Sequence, residues 1–240
     1  MSNRDNMLAR VRKALGRSPE SPRPAWKPRA DWPDLGPVLP PIPPGEEVPK
    51  FEEELSKVAG TPHRAKSAAA LEEILAEIVS AAQAKSLVLS RNPLLKALGL
   101  PDKLRARGLD VDIWPEGDAF PNPAYRERCF AAEVGITGVD FVLAESGTLV
   151  LTSGTEGAQL ASLAPPVHVA LYRQAQALAS LEELLERLPV PRDPDEPLPG
   201  RSVVLVTGPS RTADIEQILI RGVHGPREVH AILVEDSCLA

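Results

Sequence analysis

The chain has 240 residues, 43% of them hydrophobic and 25% charged, enough to bury a sizeable core in one large domain with appendages or in two small ones. Its formal charge of −6 excludes a general nucleic-acid binder, because neutralising phosphates requires a dominant excess of lysine and arginine. Two cysteines, Cys129 and Cys238, with neither a C-x-x-C pair nor a histidine at ligand spacing, exclude a zinc finger or an iron–sulfur cluster ligated within one chain.

The leader comes first in chain order. Residues 3–15 place Leu8, Val11 and Leu15 on one helical face, flanked by Arg4, Arg10, Arg12 and Lys13. No apolar signal-peptide core follows, and no run of about 18 apolar residues occurs, so the protein is read as cytoplasmic and without a membrane span. Eleven of the 26 prolines fall between Pro19 and Pro49, where fixed φ and missing N–H donors oppose both helix and central strand. This gives a basic helix and proline-rich arm over 1–50, ahead of an α/β domain over 51–240.

Beyond Phe51 the pattern alternates in type. Leu71, Ile74, Leu75, Ile78 and Val79 predict a helix over 67–84, followed by a strand over 86–90. Helical turns over 93–99 and 102–108 precede a strand over 110–114 and a helix over 124–133. Two β-rich runs flank Glu145-Ser146-Gly147-Thr148 and predict an antiparallel hairpin over 141–151. A strand over 167–171 follows, and Ser180 with Glu183 has the spacing of a capping box for a helix to Leu188. RSVVLVT, 201–207, reads as the clearest buried strand, followed by a helix over 212–221 and a last strand over 228–234. The expected fold class is α/β with a mixed, largely parallel sheet flanked by helices, and a right-handed parallel crossover at the C-terminus.

Two turns could carry chemistry. Gly208, Ser210, Arg211 and Thr212 follow a strand end, where free N–H groups and a guanidinium suit a small anion, although the spacing is not that of a P-loop. A plain polar cap would look the same, and Asp214 would repel an anion beside it. Glu145, beside Ser146, Gly147 and Thr148, could act as base or nucleophile if the strands desolvate it; a lone turn glutamate is otherwise ordinary surface decoration. The loop from Thr152 to Gly157 could line the same cleft. His168 and His224 have no serine or cysteine partner at a readable spacing and read as structural histidines.

Together, Gly135 to Thr148 (GITGVDFVLAESGT), Ser162 to Val169 (SLAPPVHV), Gly208 to Gln217 (GPSRTADIEQ) and Arg221 to Pro226 (RGVHGP) closely resemble the lactate-utilization protein C (LutC, YkgG-like) family. The resemblance covers roughly the C-terminal 110 residues, and the basic leader is similar to that family's variable N-terminus. It implies a lactate-utilization (LUD) domain with a NagB/RpiA/CoA-transferase-like fold. It also implies iron–sulfur partner proteins that oxidise L-lactate to pyruvate, with no cofactor and no metal in this chain. No catalytic residue carries over; related CoA transferases place a glutamate in a comparable turn, which makes Glu145 a candidate by analogy, with Ser146 where those enzymes often have asparagine. Two classes follow: a non-redox subunit of a lactate-oxidising complex, or a free-standing CoA-transferase/isomerase-like enzyme acting on a small phosphorylated, CoA-linked or folate substrate.

Overall fold

The computed structural model describes residues 3–16, 18, 40–115, 123–157, 159–188, 202–213 and 219–239. The chain divides into two units, residues 1–38 and 39–240. In the first, α1 (Asn3–Ala14) is the helix expected there, with Met7, Val11 and Leu15 exposed. Most of the proline-rich arm, residues 19–39, lies outside the described residues.

In the second unit α2 (Glu47–Lys57) begins inside the stretch expected to be irregular. Pro49 falls in its first turn, where a missing N–H breaks no helical bond, and Phe51 and Leu55 are fully buried. β1 (Thr61–Ala65) lies at a sheet edge, which accommodates Pro62. Ser67 Oγ accepts the Ala70 N–H at 3.2 Å and starts α3 (Ala68–Ala81), which buries Leu71, Leu75 and Ile78.

The expected alternation continues through β2 (Ser86–Leu89), α4 (Pro93–Ala97), α5 (Leu100–Ala106), β3 (Asp110–Ile113) and α6 (Pro123–Ala131). Next come β4 (Val134–Thr137), the hairpin strands β5 (Phe141–Leu143) and β6 (Thr148–Thr152), and two single turns, α7 (Ser153–Glu156) and α8 (Leu160–Leu163). The chain continues with β7 (Val167–Tyr172), β8 (Ala177–Leu178) and α9 (Leu181–Arg187), whose first turn is capped by Ser180 Oγ on the Glu183 N–H. It closes with β9 (Val203–Val206), β10 (Arg211–Ala213), β11 (Leu219–Arg221) and β12 (Glu228–Val234). Among the described residues no helix is long and apolar enough to cross a membrane.

Six strands form one parallel sheet in the order β1-β12-β7-β4-β2-β3. On one face Val134, Ile136, Val169 and Ile232 pack against α3, α4 and α5; on the other Ala170, Tyr172 and Ala231 meet α2 and a second sheet. That second sheet, β8-β5-β6-β9, holds the expected antiparallel hairpin. The fold is α/β with a largely parallel sheet flanked by helices. The chain order diverges between β2 and β4, since β2 leads outward to β3 while β4 leads the other way to β7 and β12. Carboxyl ends at such a divergence leave a crevice in open α/β sheets.

Two expectations are corrected. VVLV is an exposed edge strand: Val203 is 45% and Leu205 51% exposed, because among the described residues β9 pairs only with β6 and α9 covers β5 and β8 instead. β9 therefore takes no part in a parallel crossover to β12. The helix expected over 212–221 is absent where the chain is described: Arg211–Ala213 and Leu219–Arg221 pair antiparallel. Residues 214–218, including Asp214, lie outside the described residues.

β4 and α8 approach closely. A Cβ on Gly135 would lie 1.8 Å from the Ala161 carbonyl oxygen, so only glycine fits without moving backbone. Gly135→Ala is expected to lower the unfolding free energy by about 1–3 kcal/mol, the usual scale for overpacking. Urea denaturation measures this, and an unchanged midpoint would show that α8 yields without cost.

Candidate functional site

The divergence between β2 and β4 is occupied by a buried polar cluster. Ser90 and Asn92 follow β2, Gly138 follows β4, and Glu156 comes from α7 beyond the hairpin; Ser90, Asn92 and Glu156 are all buried. Ser90 Oγ donates to Glu156 Oε2 at 2.5 Å and Asn92 Nδ2 donates to Glu156 Oε1. Asn92 Oδ1 accepts the Leu94 N–H at 2.9 Å and so caps α4 with the same side chain. Gly138 has no room for a side chain, since a Cβ there would sit 2.2 Å from Asn92 Cγ.

The α7 turn is fastened twice more. Asp140 Oδ2 accepts the Thr152 N–H at 2.6 Å and the Thr155 hydroxyl at 2.8 Å; the Arg91 guanidinium donates to the Gly154 carbonyl at 3.0 Å. Burial pushes the Glu156 carboxyl up to about 7 against the pull of Ser90 and Asn92, and the nearby Asp140 charge adds to the rise. Such a group can hold or release a proton near neutrality. The signal was present in the sequence as Ser90-Arg91-Asn92-Pro93 after an apolar strand, and as the lone carboxylate of a small-residue loop, but nothing in the spacing joins residues 64 apart.

The two turns singled out in the sequence lie side by side. Ser146 Oγ and Thr148 Oγ1 are 2.7 Å apart, and Thr148 Oγ1 is 2.8 Å from Thr207 Oγ1, a chain of three hydroxyls. Gly147, at φ +64°, packs on the backbone of Glu54 and Leu55; Gly208, at φ +76°, packs on the Val58 carbonyl. Arg211 Nη2 donates to that same carbonyl at 2.5 Å, capping the C-terminal end of α2. Glu145 Oε1 accepts the Leu181 N–H at 2.7 Å and so serves the first turn of α9. The Ser210 N–H donates to the Pro226 carbonyl at 2.8 Å, and Thr212 lies in β10 opposite Ile220. Among these residues the structure brings together Ser146 and Thr148; Gly147, Gly208 and Arg211 meet the last turns of α2, and Glu145 faces α9.

Two other buried titratable groups are quiet. His168 is fully buried, shares a 2.8 Å hydrogen bond with Thr137, and is driven down to about 3 by desolvation, so it stays neutral. Burial raises the Cys129 thiol to about 11, which removes it as a nucleophile at neutral pH. Among the described residues no group of three or more histidine, cysteine, aspartate and glutamate side chains is placed to hold a metal ion.

An ordinary glutamate titrates near 4.5, so a folded value near 7 means that the folded protein binds this proton more tightly than the unfolded chain. The stabilisation is complete below about pH 4.5 and is lost as pH rises through 7, roughly 3 kcal/mol in all. Glu156→Gln cannot ionise and should become progressively more stable relative to the native chain between pH 5 and pH 8. Denaturant titrations across that range test this, and parallel pH profiles for the two proteins would refute it.

Comparison with known proteins places the chain. The LUD domain family model matches residues 48–234. A lactate utilization protein C from Geobacillus sp. strain WCH70 is 31% identical over 98% of this chain and 96% of its own. Another protein of that name, from Halalkalibacterium halodurans, is 31% identical over 69% of this chain and 70% of its own. A DUF162 family crystal structure from Deinococcus radiodurans shares the fold, with TM-score 0.53 and 21% identity over 81% of this chain and 99% of that one. The chain belongs to the LUD domain family.

Proposed function

We propose that this protein serves lactate utilization as a non-redox subunit. In this reading iron–sulfur partner proteins oxidise L-lactate to pyruvate, and the α/β domain binds a small polar ligand at the carboxyl ends of β2 and β4. The observation that carries the reading is the likeness, along nearly the whole chain, to proteins named lactate utilization protein C. The division of labour rests on the cysteine count: two thiols, both buried and on separate elements, cannot supply the ligand set of a cluster.

The ligand site is assigned to the cluster around Glu156 because it combines an acid of near-neutral pKa with hydroxyl and amide donors at the divergence of the parallel strands. Ser146 and Thr148, whose hydroxyls lie 2.7 Å apart, form a second candidate region for a small polar ligand, with Gly147, Gly208, Ser210 and Thr212 on the neighbouring turns and Arg211 engaged on the Val58 carbonyl. The CoA-transferase-like alternative needs a Glu145 carboxylate free to attack, and that carboxylate is engaged at the start of α9. The subunit reading is therefore preferred.

Purified alone, the chain is expected to leave a dye acceptor unreduced in the presence of L-lactate, while addition of the iron–sulfur partners restores reduction. Dye reduction by the single chain would overturn the reading. Deleting the gene should abolish growth on L-lactate as carbon source, and normal growth of the deletion strain would remove the assignment to lactate utilization.

A further inference from the structure

At the amino ends of β2 and β3, the opposite end of the large sheet from the Glu156 cluster, a cavity of about 400 Å³ opens between α3 and α5. Its floor is apolar, formed by Leu75 and Val79 of α3 and Leu100 and Leu104 of α5. Its rim carries Lys85, Lys103 and Arg107 against a single carboxylate, Glu72. That carboxylate is shared: Lys103 Nζ lies 3.2 Å from one oxygen and Arg107 Nη2 lies 3.0 Å from the other. Lys85 makes no side-chain ion pair among the described residues. Two positive charges therefore remain uncompensated around an apolar floor, in a chain whose net charge is −6.

Small-ligand sites have this make-up: a concavity of a few hundred Å³, largely apolar, with a few polar groups that fix orientation. The volume is that of a small molecule rather than of a helix. The charge selects an anion, and the floor selects an alkyl body. We propose that this cavity binds a small amphipathic anion, an aliphatic carboxylate whose chain lies on the leucine floor and whose head group is received by Lys85, Lys103 and Arg107. Arg107 is held at the rim by Glu72, to which Nη1 and Nη2 both donate, and contributes charge there, while the lysines supply charge without a fixed geometry. The site is separate from the ligand position proposed above and does not depend on it.

Calorimetric titration of the full chain with octanoate, butanoate and octanol tests the proposal. Octanoate is expected to saturate one site and to bind at least tenfold more tightly than butanoate, because its four additional methylenes lie partly buried on the floor. Octanol, which lacks the charge, should bind at least tenfold more weakly than octanoate. Ala76 lines the cavity, and Ala76→Trp should fill it and abolish binding. Lys103→Glu with Arg107→Glu, both on the exposed rim, should weaken binding at least tenfold with the circular dichroism unchanged. The absence of saturable octanoate binding, equal affinity for octanol, or undiminished binding by either folded variant would overturn it.

Discussion

A carboxylate taken out of water at the point where the parallel strands diverge is the constraint on which the arrangement of this domain turns. Glu156 receives donors from the end of β2 through Ser90 and Asn92, and Gly138 at the end of β4 packs directly on Asn92. Glu156 is itself carried on the turn that leaves the second sheet. One side chain thus fixes the end of β2 to the turn after β6, a strand that belongs to another sheet. An ionised carboxylate buried with fewer donors would cost several kcal/mol, and even with these donors desolvation prevails, which is why the proton is held up to about pH 7. The fastening and the chemical potential of the site are the same interaction.

The other seam between the sheets is α2. Phe51 and Leu55 are fully buried between them, and the Phe51 ring meets Tyr172 edge-on, centroids 5.2 Å apart. The last turns of the helix press against both loops at the outer end of the second sheet. Gly147 and Gly208 are required there because a side chain on either would enter the α2 backbone, and both stand at positive φ. The hydroxyl chain Ser146–Thr148–Thr207 is a consequence: the helix holds the two turns side by side, and the buried Thr148 hydroxyl finds its partners in the half-buried Ser146 and the exposed Thr207.

How much was legible follows from how local each signal is. Ser180 caps its helix as its spacing with Glu183 predicts, because a cap is decided within four residues. The hairpin at 141–152 forms because two short β-rich apolar runs and a glycine in the turn specify it nearly alone. VVLV fails as a buried strand because an apolar run reports propensity for a strand and not the number of neighbours the strand will have. The segment after Ser210 reads as a helix by its cap-like residues and is paired as a ribbon, with Ser210 bonded to Pro226 and Gly222. β1, which contains a proline, gave no strand signal and persists by taking the outermost place beside β12.

For the sites the division is sharper. The sequence by itself determined the family, through four short stretches in order, the kinds of most elements, and the poverty in cysteine that excludes a cluster within one chain. It also brought forward the turns at Glu145 and Gly208. Tertiary structure alone decided that Glu145 and Arg211 would be spent on helix ends, that Glu156 would meet Ser90 and Asn92 from more than sixty residues away, and that the floor between α3 and α5 would lie open under a cationic rim. The reason is physical. Propensity and capping are set by neighbours along the chain, whereas desolvation, and with it the pKa and the affinity of a site, is set by neighbours in space.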